Sequence, residues 1–279
     1  MKVCCIGTGV MGGALMKAVI KTVEKTNLVI SDGDKEKAKN FAKETGCVAA
    51  SSNAEAVKES DIVFIAVKPA FVGNVLDEIG PYLDGKTVVS VAAGLTIATI
   101  KEMYSFSMMM AGGAESNVTF IRIMPNLPAI AGQAMIALCT DPDAPKGTTE
   151  ESAAIVAKLL SRAGRVDHVH EKMMDAVTAI SGSGPAYAFM FIEALADAAV
   201  RMGMTRRQAY TYASQTLKGA AEMQLLTGSQ PGELKDAVCS PAGTTIEAVK
   251  VLEDRGFRSA IMNAVEAAFE KSQELGRHK

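Results

Sequence analysis

The sequence has no surplus of positive charge: 29 Lys and Arg stand against 31 Asp and Glu, a net charge of −2. Such a balance offers no field for a polyanion and argues against nucleic acid as a partner. Cysteine is scarce and scattered. Cys4, Cys5, Cys47, Cys139 and Cys239 are odd in number and lack paired metal-ligand spacing. They read as small core residues of a protein in a reducing cytoplasm, and no metal site is expected. Long apolar runs are missing too. The longest uncharged apolar stretch, residues 176–192, is broken by Ser181-Gly182-Ser183-Gly184-Pro185, whereas a spanning helix needs about 20 consecutive apolar residues. The short apolar run after Lys2 ends in glycines rather than in a cleavage site, so the expectation is a soluble protein without a signal peptide. Conventional catalytic sets are absent as well. His168 and His170 have no C-x-x-C or H-E-x-x-H context, and Gly182-Ser183-Gly184 falls between helices, the wrong place for a nucleophile elbow. A chain so short of acid–base and nucleophilic groups suits hydride transfer, in which a cofactor carries the difficult chemistry.

What is present begins at residue 2. Lys2-Val3-Cys4-Cys5-Ile6 runs into Gly7-Thr8-Gly9-Val10-Met11-Gly12, the pattern of a strand, a tight turn and the opening of a helix. Gly7 would allow the turn, Gly9 would let backbone approach a pyrophosphate, and Gly12 would let helix and strand pack closely. A second strand, Leu28–Ser31, ends in Asp32, 20 residues past Gly12. That is where a dinucleotide-binding unit places the carboxylate for the adenine ribose hydroxyls.

A chain of 279 residues is long enough for two domains. From residue 1 to 168 strand and helix signals alternate, which predicts a Rossmann-type α/β domain with a parallel sheet and helices on both faces. Ser52-x-x-Glu55 and Thr148-x-x-Glu151 predict helix starts, and a helix over 70–79 would carry Phe71, Val75 and Ile79 on one face. The continuous apolar run 61–67 predicts a strand buried on both sides, ending in Lys68-Pro69. The strand over 87–91 exits at Ala92-Ala93-Gly94. Both exits are carboxyl ends of strands, where ligands of open α/β sheets sit, although Lys68 also fits an exposed loop lysine. Residues 104–117, rich in Met and low in charge, predict a surface loop.

Residues 169–279 carry helical patterns only. The segment 186–192 is apolar on every side, more than a small helical domain can bury, so a second copy of the chain would have to supply the cover. Thr205-x-x-Gln208 starts another helix. Ser240-Pro241-Ala242-Gly243-Thr244-Thr245 leads into a helix with Ile246, Val249 and Leu252 on its apolar face. Such an N-terminus suits a carboxylate ligand, and an ordinary N-cap would look the same. The cluster Thr178–Pro185 is either a second close-approach surface or a plain helix-to-helix turn.

Over essentially its whole length the chain resembles the Δ1-pyrroline-5-carboxylate reductase family. The resemblance rests on Gly7-x-Gly9-x-Met11-Gly12, Ala66-Val67-Lys68-Pro69, Ser90-Val91-Ala92-Ala93-Gly94, Met124-Pro125-Asn126-x-Pro128 and Met174-Asp175-Ala176-Val177-Thr178. It continues through Ser181–Tyr187, Val238–Thr245 and Gly256-Phe257-Arg258. It implies a Rossmann domain followed by an all-α domain that interleaves with a second subunit, dimers often assembling into decamers, and a substrate held between the cofactor and the helical domain of a dimer. Ser240, Gly243, Thr244 and Thr245 would hold the substrate carboxylate. Thr178 would lie near the imine nitrogen as a hydrogen-bond or proton-relay group. Gly7, Gly9, Val10, Met11 and Gly12 would take the pyrophosphate, Ala66, Val67, Lys68, Pro69, Ala92 and Asn126 the nicotinamide side.

Two departures stand out. Many members carry Asn-Arg-Ser after the second strand, which suits a 2′-phosphate, whereas this chain has Asp32-Gly33-Asp34. Two carboxylates there predict a preference for NADH, softened by Lys35 and Lys37, with NADPH still usable. Leu127 stands where members usually have Thr, which removes a hydroxyl from the cofactor side. The expected reaction is reduction of pyrroline-5-carboxylate to proline. The alternatives are a related cyclic-imine or hydroxyacid reductase, and a non-catalytic dinucleotide sensor.

Overall fold

A computed structural model describes residues 1–113 and 117–277, apart from the side chains at positions 146 and 277. Strands and helices alternate first: β1 (Val3–Ile6), α1 (Val10–Val19), β2 (Leu28–Ser31), α2 (Lys35–Thr45), β3 (Val48–Ala49), α3 (Asn53–Lys58), β4 (Ile62–Ile65), α4 (Val72–Ile79), β5 (Thr87–Ser90), α5 (Ile97–Met110), β6 (Thr119–Met124), β7 (Ala134–Thr140), α6 (Lys146–Leu160) and β8 (Gly164–His168). Helices alone follow: α7 (Met174–Val177), α8 (Gly184–Arg201), α9 (Arg206–Thr227), α10 (Pro231–Val238), α11 (Thr244–Asp254) and α12 (Phe257–Arg277).

By contacts the chain forms two units, Met1–Gly182 together with the segment from Phe269 onward, and Ser183–Ala268. The first unit is built on one sheet in the order β3-β2-β1-β4-β5-β6-β7-β8, with every neighbour parallel except β6 and β7. The alternation of side chains along β1 and β4 divides its core. Cys5 and Phe64 face Leu15, Phe41, Val156 and Leu160, while Cys4, Ile6, Val63 and Ile65 face Val72, Leu76, Ile79 and Ile100. Helices therefore cover both faces, and both strands read as unbroken apolar runs. Burial pushes the Cys4 and Cys139 thiols up to about 12, so they behave as small apolar core residues.

In the second unit α8 and α9 pack through Ala196, Ala209 and Ala213, and Phe191 lies 5.9 Å from Phe257 between ring centroids. The capping box of Thr205 and Gln208 is complete. Phe189 and Met190 of α8 are exposed, at 57% and 70%, so this unit leaves apolar surface uncovered within one chain.

Four local expectations need correction, each for a physical reason. The sheet is mixed because the Pro125–Gln133 connection holds only a 3₁₀ turn (Leu127–Ala131), too short for the crossover a parallel neighbour requires. Phe71 is 54% exposed; it belongs to a 3₁₀ turn, Pro69–Phe71, and α4 begins after it, burying Val75 and Ile79. The Met-rich stretch is helical through Met110, not a loop. Thr96 caps α5 by accepting from Thr99 N–H at 3.1 Å, Tyr104, Ser107 and Met108 are buried, and Gly112 ends the run at φ +69°. Residues 114–116 of the expected loop lie outside the described residues. Finally, α6 starts three residues earlier in effect, at an N-cap on Pro145, and Thr149 Oγ1 donates back to the Pro145 carbonyl (2.9 Å), so Thr148 and Glu151 form no capping box.

Candidate functional site

The connections leaving β1 and β4 run to opposite faces of the sheet, and ligands of open α/β sheets bind outside the carboxyl ends at such a point. A crevice of about 510 Å³ opens there, and its lining includes Gly7, Gly9, Asp32, Ala66, Val67 and Lys68. Six of the sequence-predicted residues are thereby brought together.

The glycines divide the work as their spacing suggests. Gly7 has φ +99°, and a Cβ on it would stand 2.6 Å from the Ala66 carbonyl oxygen. A Cβ on Gly12 would lie 2.1 Å from the Gly7 carbonyl oxygen. Both hold α1 against the strands. Gly9 is different: the nearest atom to an added Cβ is Lys37 Nζ at 4.0 Å, so that face of the turn is open. Gly9 is also the N-cap of α1, with no side-chain capping bond and no acid in the first turn. The first N–H groups of α1 are left for an anion, supported by the positive end of the helix dipole. These features fit the pyrophosphate of a dinucleotide.

Asp32 is largely committed to the protein. Its Oδ2 accepts from Thr8 N–H (2.7 Å) and Thr8 Oγ1 (2.8 Å), its Oδ1 from Asp34 N–H (3.0 Å), and Lys37 Nζ lies 3.6 Å from Oδ2. Burial pushes its pKa up, but the Thr8 and Asp34 hydrogen bonds and the Lys37 charge outweigh it, and the net shift is downward. The carboxylate is therefore ionised at neutral pH. Thr8, which the sequence did not single out, fixes it, and Asn53, bonded to Glu78 at 2.6 Å, closes the crevice beyond it. Neither residue carries a signal that spacing alone would reveal.

Other expected residues are placed differently. Val10 is exposed and lines a neighbouring cavity, while Met11 is half-buried. Pro69 opens its 3₁₀ turn. Ala92 packs inside the core at 2% exposure, so only its backbone is available at the exit of β5. Asn126, 8% exposed, spends its side chain on the protein: Nδ2 donates to the Ser181 carbonyl (3.0 Å) and Oδ1 accepts from Met135 N–H (3.1 Å). Leu127 is 43% exposed in the turn that follows. Thr178 starts a π-helical turn, Thr178–Gly182, and its hydroxyl donates to the Met174 carbonyl at 2.8 Å. The oxygen lone pairs of Thr178 thus remain free to accept.

In the second unit, Ser240 to Thr245 form the entry to α11. The N-cap is Gly243, with no side-chain capping bond, so the ordinary Ser or Thr cap is not used. Gly243 N–H bonds the Ser240 carbonyl (3.0 Å), and a Cβ on Gly243 would meet Ser240 Oγ at 2.2 Å. Ala242 has φ +56°, the left-handed region that costs an alanine about 1–2 kcal/mol. Ser240 and Thr244 are exposed, Gly243 and Thr245 half-buried. The small strained turn carries the hydroxyl residues Ser240, Thr244 and Thr245 at an uncapped helix N-terminus, a combination that suits a carboxylate.

Two family models match the chain: pyrroline-5-carboxylate reductase dimerisation over residues 171–275, and NADP oxidoreductase coenzyme F420-dependent over residues 2–94. The pyrroline-5-carboxylate reductase of Methanosarcina acetivorans is 41% identical over 99% of this chain and 98% of its own length. That of Escherichia coli is 40% identical over the same shares. Among solved structures, Plasmodium falciparum pyrroline carboxylate reductase with NADP bound has a TM-score of 0.84 and 35% identity, covering 99% of this chain and 98% of that one. A pyrroline-5-carboxylate reductase from Coxiella burnetii has a TM-score of 0.85 and 28% identity, covering 98% of each.

Proposed function

The chain belongs to the pyrroline-5-carboxylate reductase family, and from that premise we propose that it reduces Δ1-pyrroline-5-carboxylate to proline with a nicotinamide cofactor. The observation that carries this is the crevice at the ends of β1, β2 and β4, with its open glycine turn above an uncapped helix. A dihydronicotinamide, when bound, would supply the hydride for the C=N carbon, while the substrate's ring nitrogen would keep the proton that makes it an iminium.

The α1 N-terminus holds the pyrophosphate, and Asp32 lies at the ribose. NADH is the preferred cofactor. The ionised Asp32 side chain is 14% exposed on the crevice floor, and Lys37 is 46% exposed at the rim. An exposed ion pair is worth about 0–1 kcal/mol, whereas facing a phosphate with a fixed carboxylate costs several. NADPH remains the second reading, because Lys37 is within reach and the similar Plasmodium falciparum protein was solved with NADP.

Ser240, Gly243, Thr244 and Thr245 bind the substrate carboxylate and so set the ring for attack. Thr178 lies at the ring nitrogen. Since its proton is engaged by Met174 O, it accepts from the iminium N–H rather than donating, which favours the protonated, hydride-accepting form. Held near van der Waals contact, donor and acceptor carbons react without further acid–base machinery. The exposed apolar side of α8 and the match to a dimerisation model support a homodimer. The test is product identity: purified protein, cofactor and pyrroline-5-carboxylate should give proline in one-to-one ratio with oxidised nicotinamide. Cofactor oxidation only with other cyclic imines, or with the oxo acids whose reduction gives hydroxyacids, would replace the substrate, and cofactor binding without turnover of any would favour a sensor.

A further inference from the structure

Asn126 occupies a position where its side chain would ordinarily do something else. Its backbone is extended (φ −135°, ψ 168°) at the N-cap of the 3₁₀ turn Leu127–Ala131, yet it makes no side-chain capping bond. An N-cap asparagine usually turns its oxygen onto the N–H groups of its own turn. Here the carboxamide reaches away, to the Ser181 carbonyl with its nitrogen and to Met135 N–H, at the start of β7, with its oxygen. Ser181 Oγ adds a third tie, donating to the Met135 carbonyl at 3.4 Å. A Cβ on Gly182 would stand 2.7 Å from Met124 Cε, so the turn is also pressed against the end of β6. The segment so held, Thr178–Gly182, is a π-helical turn, a wide form that leaves terminal carbonyls short of helical donors and recurs at functional sites.

We propose that Asn126 is a positioning residue whose carboxamide clamps the π-turn and thereby fixes the Thr178 hydroxyl. The inference rests on the role given to Thr178 above and reassigns Asn126 from the cofactor to the turn. One amide N–H and one carbonyl lone pair are what its side chain has left to offer a ligand.

Asn126→Asp tests this directly. The substituted oxygen faces the Ser181 carbonyl, repelling it when ionised and bonding it when protonated. Expected are a kcat about tenfold or more below wild type at alkaline pH, as for a buried group left unpaired, and recovery toward wild type as pH falls. The KM of the nicotinamide cofactor should stay within about twofold. Amide hydrogen exchange over residues 178–182 should speed up at alkaline pH in the variant. Should Asn126→Asp fail to fold, Asn126→Ser, too short to span both partners, should show the faster exchange at every pH. Unchanged kcat and exchange, or a raised cofactor KM with unchanged kcat, would overturn the clamp. The exchange readout separates the two failures: a wild-type protein inactive on pyrroline-5-carboxylate would sink the function and leave the clamp standing.

Discussion

Among the described residues, α1 after Gly9 and α11 after Gly243 each start from a glycine N-cap with no side-chain capping bond. By contrast α2, α3, α5 and α9 are capped by Asp34, Ser52, Thr96 and Thr205. The two open starts are built by different means. At α1 the backbone itself sets the geometry: strand, turn and helix are locked by Gly7 and Gly12 against carbonyl oxygens that cannot move. At α11 a short turn is held by a strained Ala242 and by the fit of Gly243 against a hydroxyl that can rotate. One turn is rigid and carries a spacing of glycines; the other is soft and carries hydroxyls. The first suits a pyrophosphate common to all substrates of a fold, the second a carboxylate whose recognition is particular.

The sharpest break of this contrast is Gly12→Ala. With a new methyl 2.1 Å from the Gly7 carbonyl oxygen, α1 must leave the strand, at the upper end of the ~1–3 kcal/mol range for overpacking. Dinucleotide affinity should fall roughly 100-fold by titration calorimetry. Gly243→Ala should do far less, because Ser240 Oγ can turn away. Asp32→Asn removes the charge proposed to face the ribose and should move the ratio of kcat/KM values toward NADPH at least tenfold, each factor of ten being about 1.4 kcal/mol.

The same variant has a pH signature. The folded pKa of Asp32 lies below its ordinary value of 3.8, so the stability it contributes is present above that value and lost as pH falls through the folded one. The urea midpoint gap between wild type and Asp32→Asn should be widest at neutral pH and close in acid. A gap that grew in acid would contradict the hydrogen bonds from Thr8 and Asp34.

On the soft side, Thr245→Val should raise KM for the imine carboxylate several-fold, about 1 kcal/mol, with kcat nearly kept. Loss of kcat at constant KM would remove Thr245 from the carboxylate. Thr178→Ala should lower kcat and alter its pH profile, and an intact profile would end its role at the nitrogen. The smallest effect belongs to Ala242→Gly, which relieves the left-handed strain and should stabilise the protein by up to about 1 kcal/mol in urea unfolding.

Legibility in the sequence follows the same division. The β1–Gly7–α1–β2–Asp32 unit could be read because its constraints are local and backbone-made, so residue type and spacing carry them. The α9 capping box and the buried strand β4 were readable for the same reason. The antiparallel β7, the helical Met-rich stretch and the exposure of Phe71 were not, since each turns on a short feature that hydrophobic periodicity does not mark: the 3₁₀ turn before β7, the Thr96 cap of α5 and the 3₁₀ turn Pro69–Phe71. The clamp of Asn126 on Ser181, and the bond of Ser272 to Asp175 at 2.7 Å, join residues distant in sequence and leave no periodic trace. The start of α11 reads in the sequence as any N-cap would, and only the structure puts Gly243 there with no side-chain capping bond.

The most direct test of the account is the steady-state rate of cofactor oxidation with pyrroline-5-carboxylate, saturated separately with NADH and NADPH. The account predicts rapid turnover with the higher kcat/KM for NADH. A higher kcat/KM for NADPH would contradict the part given to Asp32, and no oxidation of either cofactor would contradict the reductase itself.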